Sequence, residues 1–390
     1  MTVPTSFPAR AVIDLDAVAA NVAELKRRAG RAEVLAVVKA DAYGHGLVPC
    51  ARAALVGGAT WLGVAQLSEA LALRAAGITA PVLAWLLAPG LDLEPAVAAD
   101  VDLGVSAPYA LEAAAAAARA TGRTARVQLK ADTGLGRNGA FSLPVGPGGR
   151  TDWEDLVDRA RALEAEGVIR VTGVFTHFAY ADAPQHPTVR HQQEAFADAV
   201  RVAERAGLRP DVRHMSNSAA TLTTPQAAWD MVRPGLSVYG LSPVPDLGGP
   251  ADFGLVPAMT ALATVALTKR VPADQGVSYG HTYRTPAEVT LADIPVGYAD
   301  GIPRHASSQA EVLVGGRRIR IAGRVCMDQF VVDVGDLPVT AGDEVVLFGP
   351  GTRGEPTAQD WADAADTISY EIVSRFGPRV PREYVGAPGE

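Results

Sequence analysis

The chain has 390 residues, 48% hydrophobic and 20% charged, with a formal net charge of −8. That length exceeds one ordinary core and predicts two domains, and the acidic balance argues against a nucleic-acid footprint. Cys50 and Cys326 lie too far apart in sequence to suggest a disulfide framework or a metal pattern, and the apolar runs are too short to span a membrane.

The opening MTVPTSFPAR has no apolar signal-peptide core, so a soluble cytoplasmic protein is expected. After an initial AVIDL, apolar runs alternate with helical patterns for about two-thirds of the chain. Strands are predicted at 33–39, 61–65, 81–86, 101–105, 125–130, 171–177, 211–215 and 231–233. Helices are predicted at 16–28, 47–56, 68–76, 108–121, 152–166 and 188–206, with a short one from Ser218. Thr151 and Glu154 have the spacing of a capping box. Strands each followed by a helix predict an α/β fold, a TIM-like (β/α)8 barrel, with a doubly wound open sheet as the alternative. The loop NGAFSLPVGPGGR, 138–150, reads as a flexible insert without evident chemistry. The stretch PVPDLGGPADFG, 243–254, reads as a connection. Beyond it the apolar period falls to two, which predicts a mostly antiparallel β domain with one late helix over 358–376. The expected division is a barrel over 1–250 and a β-rich domain over 251–390.

The unusual polar residues fall at the C-terminal ends of the predicted strands. Lys39, Lys130, His177, Ser218, Arg233 and Gly235 all do so, and barrel enzymes build their sites at that mouth. Each has a plainer reading alone: a snorkelling lysine, a hydrogen-bonded core histidine, a helix N-cap at Ser218, an ion-pair partner at Arg233. Together they favour one site. There is no His/Cys/Asp cluster at metal spacing and no G-x-S-x-G elbow, and Gly44 and Gly46 around His45 are not a dinucleotide fingerprint. A lysine within apolar walls can stand as the free amine, which is what a Schiff-base lysine needs. Backbone N–H groups of Gly235 and Leu236, with the hydroxyls of Ser218 and Tyr43, suit a phosphate. His177 could cover an aromatic ring. The inferred cofactor is pyridoxal 5'-phosphate, joined to Lys39.

Nine motifs, in order from residue 36 to residue 372, resemble alanine racemases: AVVKADAYGHG, LKADTGLGRNG, THFAYAD, HMSNSAA, VRPGLSVYG, VSYGHTYRT, PVGYADG, GRVCMDQ and TISYEI. The resemblance implies an isomerase of the fold-type III pyridoxal-phosphate family, a homodimer paired head to tail with shared active sites, and a two-base interconversion of L- and D-alanine that supplies D-alanine for peptidoglycan. Carried over by motif, Lys39 would hold the cofactor and act as one base. Tyr279, from the partner subunit, would be the other. Tyr43, Asn217, Ser218, Gly235, Leu236 and Tyr370 would bind the cofactor, chiefly its phosphate, and His177 its ring. Arg233 would face the pyridine nitrogen with His214 behind it. Arg137 would bind the phenolate oxygen and the substrate carboxylate, which Met327 would approach across the interface. Tyr283 and Tyr298 would line the entry. Lys130 would be carbamylated, as in many family members. An arginine in place of an acid after strand eight disfavours a decarboxylase. A racemase of broader specificity is the alternative. A cofactor carrier of one barrel would leave 256–390 without a purpose.

Overall fold

The computed structural model of the protein describes residues 7–143 and 149–386. The first strand, β1 (Ala9–Asp14), runs into α1 (Leu15–Ala29). Asp14 caps that helix by accepting the Ala17 N–H at 3.0 Å. There follow β2 (Glu33–Val37), α2 (Leu47–Val56), β3 (Trp61–Val64), α3 (Leu67–Ala75), β4 (Val82–Ala84), α4 (Glu94–Ala98), β5 (Asp102–Val105), α5 (Pro108–Thr121) and β6 (Ala125–Asp132). Then come α6 (Asp152–Ala165), β7 (Ile169–Phe175), α7 (Pro187–Arg205), β8 (Val212–His214), α8 (Ser218–Thr223) and β9 (Met231–Val232). Strands β2 to β9 pair in parallel in chain order, and β9 pairs back onto β2, so the sheet closes. This is the TIM-like barrel, not the open sheet. Strands β2, β3 and β4 are largely apolar on both faces because the interior fills one side and helices cover the other. Gly104 on β5 is needed for that filling: a Cβ there would lie 2.8 Å from the Trp85 backbone. The capping box stands as expected, with the Glu154 N–H donating to Thr151 Oγ1 at 3.1 Å and the Thr151 N–H to Glu154 Oε2 at 2.8 Å.

The second domain holds β10 (Met259–Thr264), β11 (Leu267–Val271), β12 (Val289–Ile294), β13 (Glu311–Val314), β14 (Arg317–Arg320), β15 (Phe330–Gly335), β16 (Glu344–Phe348), α9 (Ala358–Ala364), α10 (Ser369–Ser374) and β17 (Arg382–Val385). One sheet has the order β14-β13-β16-β10-β1-β17, and a smaller one the order β11-β12-β15. It is mostly β, as the period of two implied.

Several elements differ from the sequence pattern. Strand β1 lies in the second domain's sheet, antiparallel to β10 and parallel to β17; its pattern is that of any strand, and only pairing assigns it. Helix α4 was not in the pattern, because five residues carry little helical period. The late helix is two helices, broken where Asp366 takes φ 51°. Residues 144–148 of the 138–150 insert lie outside the described residues. The connection after β9 is pinned by buried Asn21 of α1, whose Nδ2 donates to Val238 O at 3.2 Å and Val256 O at 2.9 Å, while its Oδ1 accepts the Val256 N–H at 2.8 Å.

Candidate active site

Beyond β2 the chain makes a left-handed turn. Ala40, Asp41, Ala42 and Tyr43 all take φ of 53–54°, a conformation that costs an L-residue about 1–2 kcal/mol. One local and two distant side chains hold it. Glu69 Oε1 accepts the Ala40 N–H at 2.6 Å. His45 Nδ1 lies 3.1 Å from Ala42 O and 3.0 Å from Tyr43 O. Arg382 of β17 donates to Gly44 O at 2.8 Å. At Gly44, φ is +80° and a Cβ would collide with the Val373 carbonyl of α10. The turn brings Lys39 and Tyr43 to the barrel mouth, with Lys39 Nζ 5.9 Å from the Tyr43 ring centre.

The mouth holds a cavity of about 540 Å³ lined by Lys39, Tyr43, Lys130, Arg137, His177, Asn217, Ser218, Arg233, Gly235, Leu236 and Tyr370. Arg233 is tied by Nη1 to His214 Nδ1 at 3.0 Å and by Nη2 to Thr176 O at 2.7 Å, with His177 Nδ1 at 3.3 Å. Ser218 Oγ accepts the Gly235 N–H at 2.8 Å. The N-cap reading of Ser218 does not hold. Asn217 is the cap, its Oδ1 accepting the Ala220 N–H at 3.0 Å, which leaves Ser218 as the first helical residue. Asn138, in the insert read as without chemistry, accepts from Lys130 Nζ at 3.0 Å.

The cavity is electropositive. Burial, then the Arg137 charge, pushes Lys39 below the ordinary lysine range. Burial, then Arg233 and Arg137, pulls Lys130 down to about 8. Burial and Arg233 hold His177 well below the ordinary imidazole range, so it is neutral. Burial lowers Arg233 to about 9, which leaves it charged at neutral pH. The nearby Asp132 carboxylate is occupied by the N–H groups of Gly134, Leu135 and Gly136. Glu371 on the cavity wall is likewise engaged, by Arg375 at 2.7 Å, and a site with these cations and its carboxylates so occupied favours an anionic occupant.

Tyr279, Tyr283, Tyr298 and Met327 stand outside this cavity's lining. Tyr279 is 69% exposed and Met327 53%. The loops carrying three of the four are bonded together: Ser278 Oγ to Arg324 O at 2.7 Å, the Tyr298 N–H to Cys326 O at 3.1 Å and the Ala299 N–H to Met327 O at 2.9 Å. Tyr283 donates to Asp333 Oδ2 at 2.7 Å.

Sequence reasoning missed Trp85, Phe175, Ile368, Glu371 and Ser374 on the cavity wall. Trp85 follows β4 and was open to the same strand-end argument as Lys39. Phe175 passed as strand filling. Its ring stacks on His214 at 5.1 Å and 4°, and takes Lys130 Nζ at 5.7 Å and Arg233 Cζ at 5.5 Å, so one aromatic ring steadies both cations.

Two family models match the chain, the alanine racemase N-terminal domain over residues 13–243 and the alanine racemase C-terminal domain over residues 258–384. The chain belongs to the alanine racemase family. Alanine racemase of Frankia casuarinae is 67% identical over 375 residues, 96% of each chain. The crystal structure of alanine racemase from D-cycloserine-producing Streptomyces lavendulae superposes with a TM-score of 0.95 at 56% identity, covering 98% of both chains. That of Bacillus anthracis, with bound L-Ala-P, does so with a TM-score of 0.88 at 35% identity, over 99% of this chain and 97% of its own. The first family match ends inside the 243–254 connection and the second begins next to β10.

Proposed function

We propose that this chain is an alanine racemase, a pyridoxal-phosphate-dependent isomerase that interconverts L- and D-alanine in the cytoplasm and supplies D-alanine for peptidoglycan. The observation that carries the reading is the convergence of Lys39, Arg233 and the Ser218–Gly235 cradle on one electropositive cavity. These residues fit the cofactor. An amine below the ordinary lysine range is offered to its aldehyde. Hydroxyls of Tyr43, Ser218 and Tyr370, with the backbone N–H of Leu236, are offered to its phosphate, and the Gly235 N–H, bonded here to Ser218 Oγ, would turn to it on binding. Asn217 holds Ser218 in place by capping its helix. A glycine at 235 is required, since a Cβ there would collide with the Tyr43 hydroxyl.

When bound, pyridoxal phosphate supplies the electron sink that makes the Cα proton of an amino acid removable. Lys39 holds the cofactor and moves that proton on one face of Cα. The partner subunit's Tyr279 does so on the other. Arg137 binds the phenolate oxygen and the substrate carboxylate, which the partner subunit's Met327 approaches. Tyr283 and Tyr298 line the entry. His177 covers the cofactor ring. Arg233 would donate to the pyridine nitrogen and, keeping its own proton, would leave that nitrogen unprotonated. Held so, Arg233 would restrain the electron demand of the bound cofactor and favour racemisation over side reactions. The free amine of Lys130 would add to the carbon of carbon dioxide and release a proton to solvent, leaving a carbamate anion beside Arg137 in place of a like charge. Residues 1–250 act as the cofactor-binding unit, apart from the strand lent to the second sheet, and 251–390 complete the site of the other subunit in a homodimer. Exposure of Tyr279 and Met327 on neighbouring loops supports that division.

The test is D-alanine formation from L-alanine by purified protein with added pyridoxal phosphate. Lys39→Ala should abolish it along with the lysine-bound absorbance. Absence of D-alanine in the unaltered protein overturns the substrate; turnover that survives Lys39→Ala overturns the site.

A further inference from the structure

Arg233 is backed by a line of buried side chains that crosses the barrel. Its Nη1 donates to His214 Nδ1 at 3.0 Å, and His214 Nε2 lies 2.7 Å from Gln128 Oε1. Gln128 Nε2 donates to Asp102 Oδ2 at 3.0 Å. Thr172 Oγ1 donates to the same oxygen at 2.6 Å, and Arg126 Nε to Asp102 Oδ1 at 2.5 Å. Asp102, Gln128 and His214 are wholly buried, and Thr172 nearly so. Asp102 opens β5, Gln128 lies midway along β6, and His214 ends β8. The line therefore climbs from the barrel floor to its mouth.

The donors set its direction. A guanidinium only donates, so His214 Nδ1 must accept and the imidazole proton sits on Nε2. Gln128 Oε1 accepts the hydrogen bond from that N–H, which turns the amide nitrogen toward Asp102. A carboxylate only accepts, so the line ends there. The reverse amide orientation would set N–H against N–H at His214 and oxygen against oxygen at Asp102. Barrel interiors are ordinarily filled by layers of branched apolar side chains, and a buried polar line is tolerated only when every member is bonded. Space is kept for it: a Cβ at Gly173 on β7 would lie 2.7 Å from Gln128 Oε1.

We propose that Asp102 and Gln128 are positioning residues for Arg233: the Asp102 carboxylate, acting through Gln128, locks His214 in the tautomer with its proton on Nε2 and so fixes where Arg233 presents its charge to the cavity. This deepens the functional reading above and rests on its placing of Arg233 against the pyridine nitrogen. The competing account is that Asp102 serves only to neutralise Arg126 at the barrel floor.

The experiment uses the full-length protein with pyridoxal phosphate and labels its histidine ring nitrogens with 15N; His214→Gln identifies the His214 signals. The unaltered protein should show one His214 tautomer, protonated on Nε2 and slow to exchange. Gln128→Leu keeps the volume and removes the link. Gly173→Ala leaves every charge in place and displaces Gln128. Both should speed exchange of that proton and raise the share of transamination relative to racemisation, each roughly 10-fold or more, the worth of one hydrogen bond to a charged group. Asp102→Asn should act in the same direction. Variants that lose thermal stability while the His214 tautomer, its exchange and the reaction partition stay as in the unaltered protein overturn the proposal. So does a His214 proton on Nδ1. A protein that binds no cofactor at Lys39 would sink the functional reading instead, and the His214 signals would still decide the line.

Discussion

Lys130 shows how far the barrel alters one side chain. Burial, then Arg233 and Arg137, bring it from the ordinary 10.5 down to about 8. Between those values the native amine has released a proton that the unfolded chain still holds. The unfolded state then binds more protons, so stability rises as pH climbs through the window. Lys39, lowered for similar reasons, adds the same sign. In carbon-dioxide-free buffer the denaturant midpoint of the unaltered protein should rise relative to that of Lys130→Met from pH about 8 toward 10.5, while Cys50 and Tyr43, pushed up by burial, act with the opposite sign in both proteins; a midpoint difference that does not change with pH would reject the shift. The free amine also makes a chemical prediction. Labelled 13C bicarbonate should give a carbamate signal that Lys130→Met removes. At Arg233 the prediction is one of selectivity: Arg233→Glu should raise transamination relative to racemisation, read from cofactor absorbance and D-alanine together, and unchanged selectivity would end that role. These residues were legible because polar groups at strand ends are conspicuous. Phe175 was not, because an aromatic within an apolar run reads as core whether or not it faces a cavity, and Trp85, though placed just past β4, carries no charge to draw attention to it.

The turn after β2 was legible only as an interruption. The sequence AVVKADAYGHG marks where a strand stops, and an ordinary turn would satisfy it. Four L-residues at φ near 54° are held there by the neighbouring His45 and by Glu69 and Arg382 from two distant parts of the chain. No local preference encodes such a backbone. The strain and the crowding predict opposite outcomes at neighbouring positions. Gly44→Ala should lose more than about 2 kcal/mol, because positive φ and the Val373 carbonyl both oppose a side chain. Ala42→Gly, which relieves a positive φ, should change stability by less than about 1 kcal/mol. Thermal unfolding of the two variants distinguishes them, and equal losses would mean that the turn is not strained. The same limit explains the divided late helix, since the break at Asp366 is a single residue within an otherwise helical pattern.

At the level of the assembly, the barrel supplies one half of the proposed chemistry and the second domain the other. Tyr279 and Met327 lie on exposed loops away from their own chain's cavity lining. Mixing inactive Lys39→Ala subunits with inactive Tyr279→Phe subunits should restore part of the activity, because one of the two shared sites in a mixed dimer is then intact. No recovery after demonstrated subunit exchange would reject shared sites. By itself the sequence determined the alternation that makes a barrel, the change of period that makes a β domain, and the strand-end residues of the mouth, because each is written in local spacing. Tertiary structure alone decided that the first strand pairs with the last, that a left-handed turn carries Lys39, and that Asp102 stands behind Arg233. Those depend on groups far apart in the chain meeting at hydrogen-bond distance, and no local pattern records such a meeting.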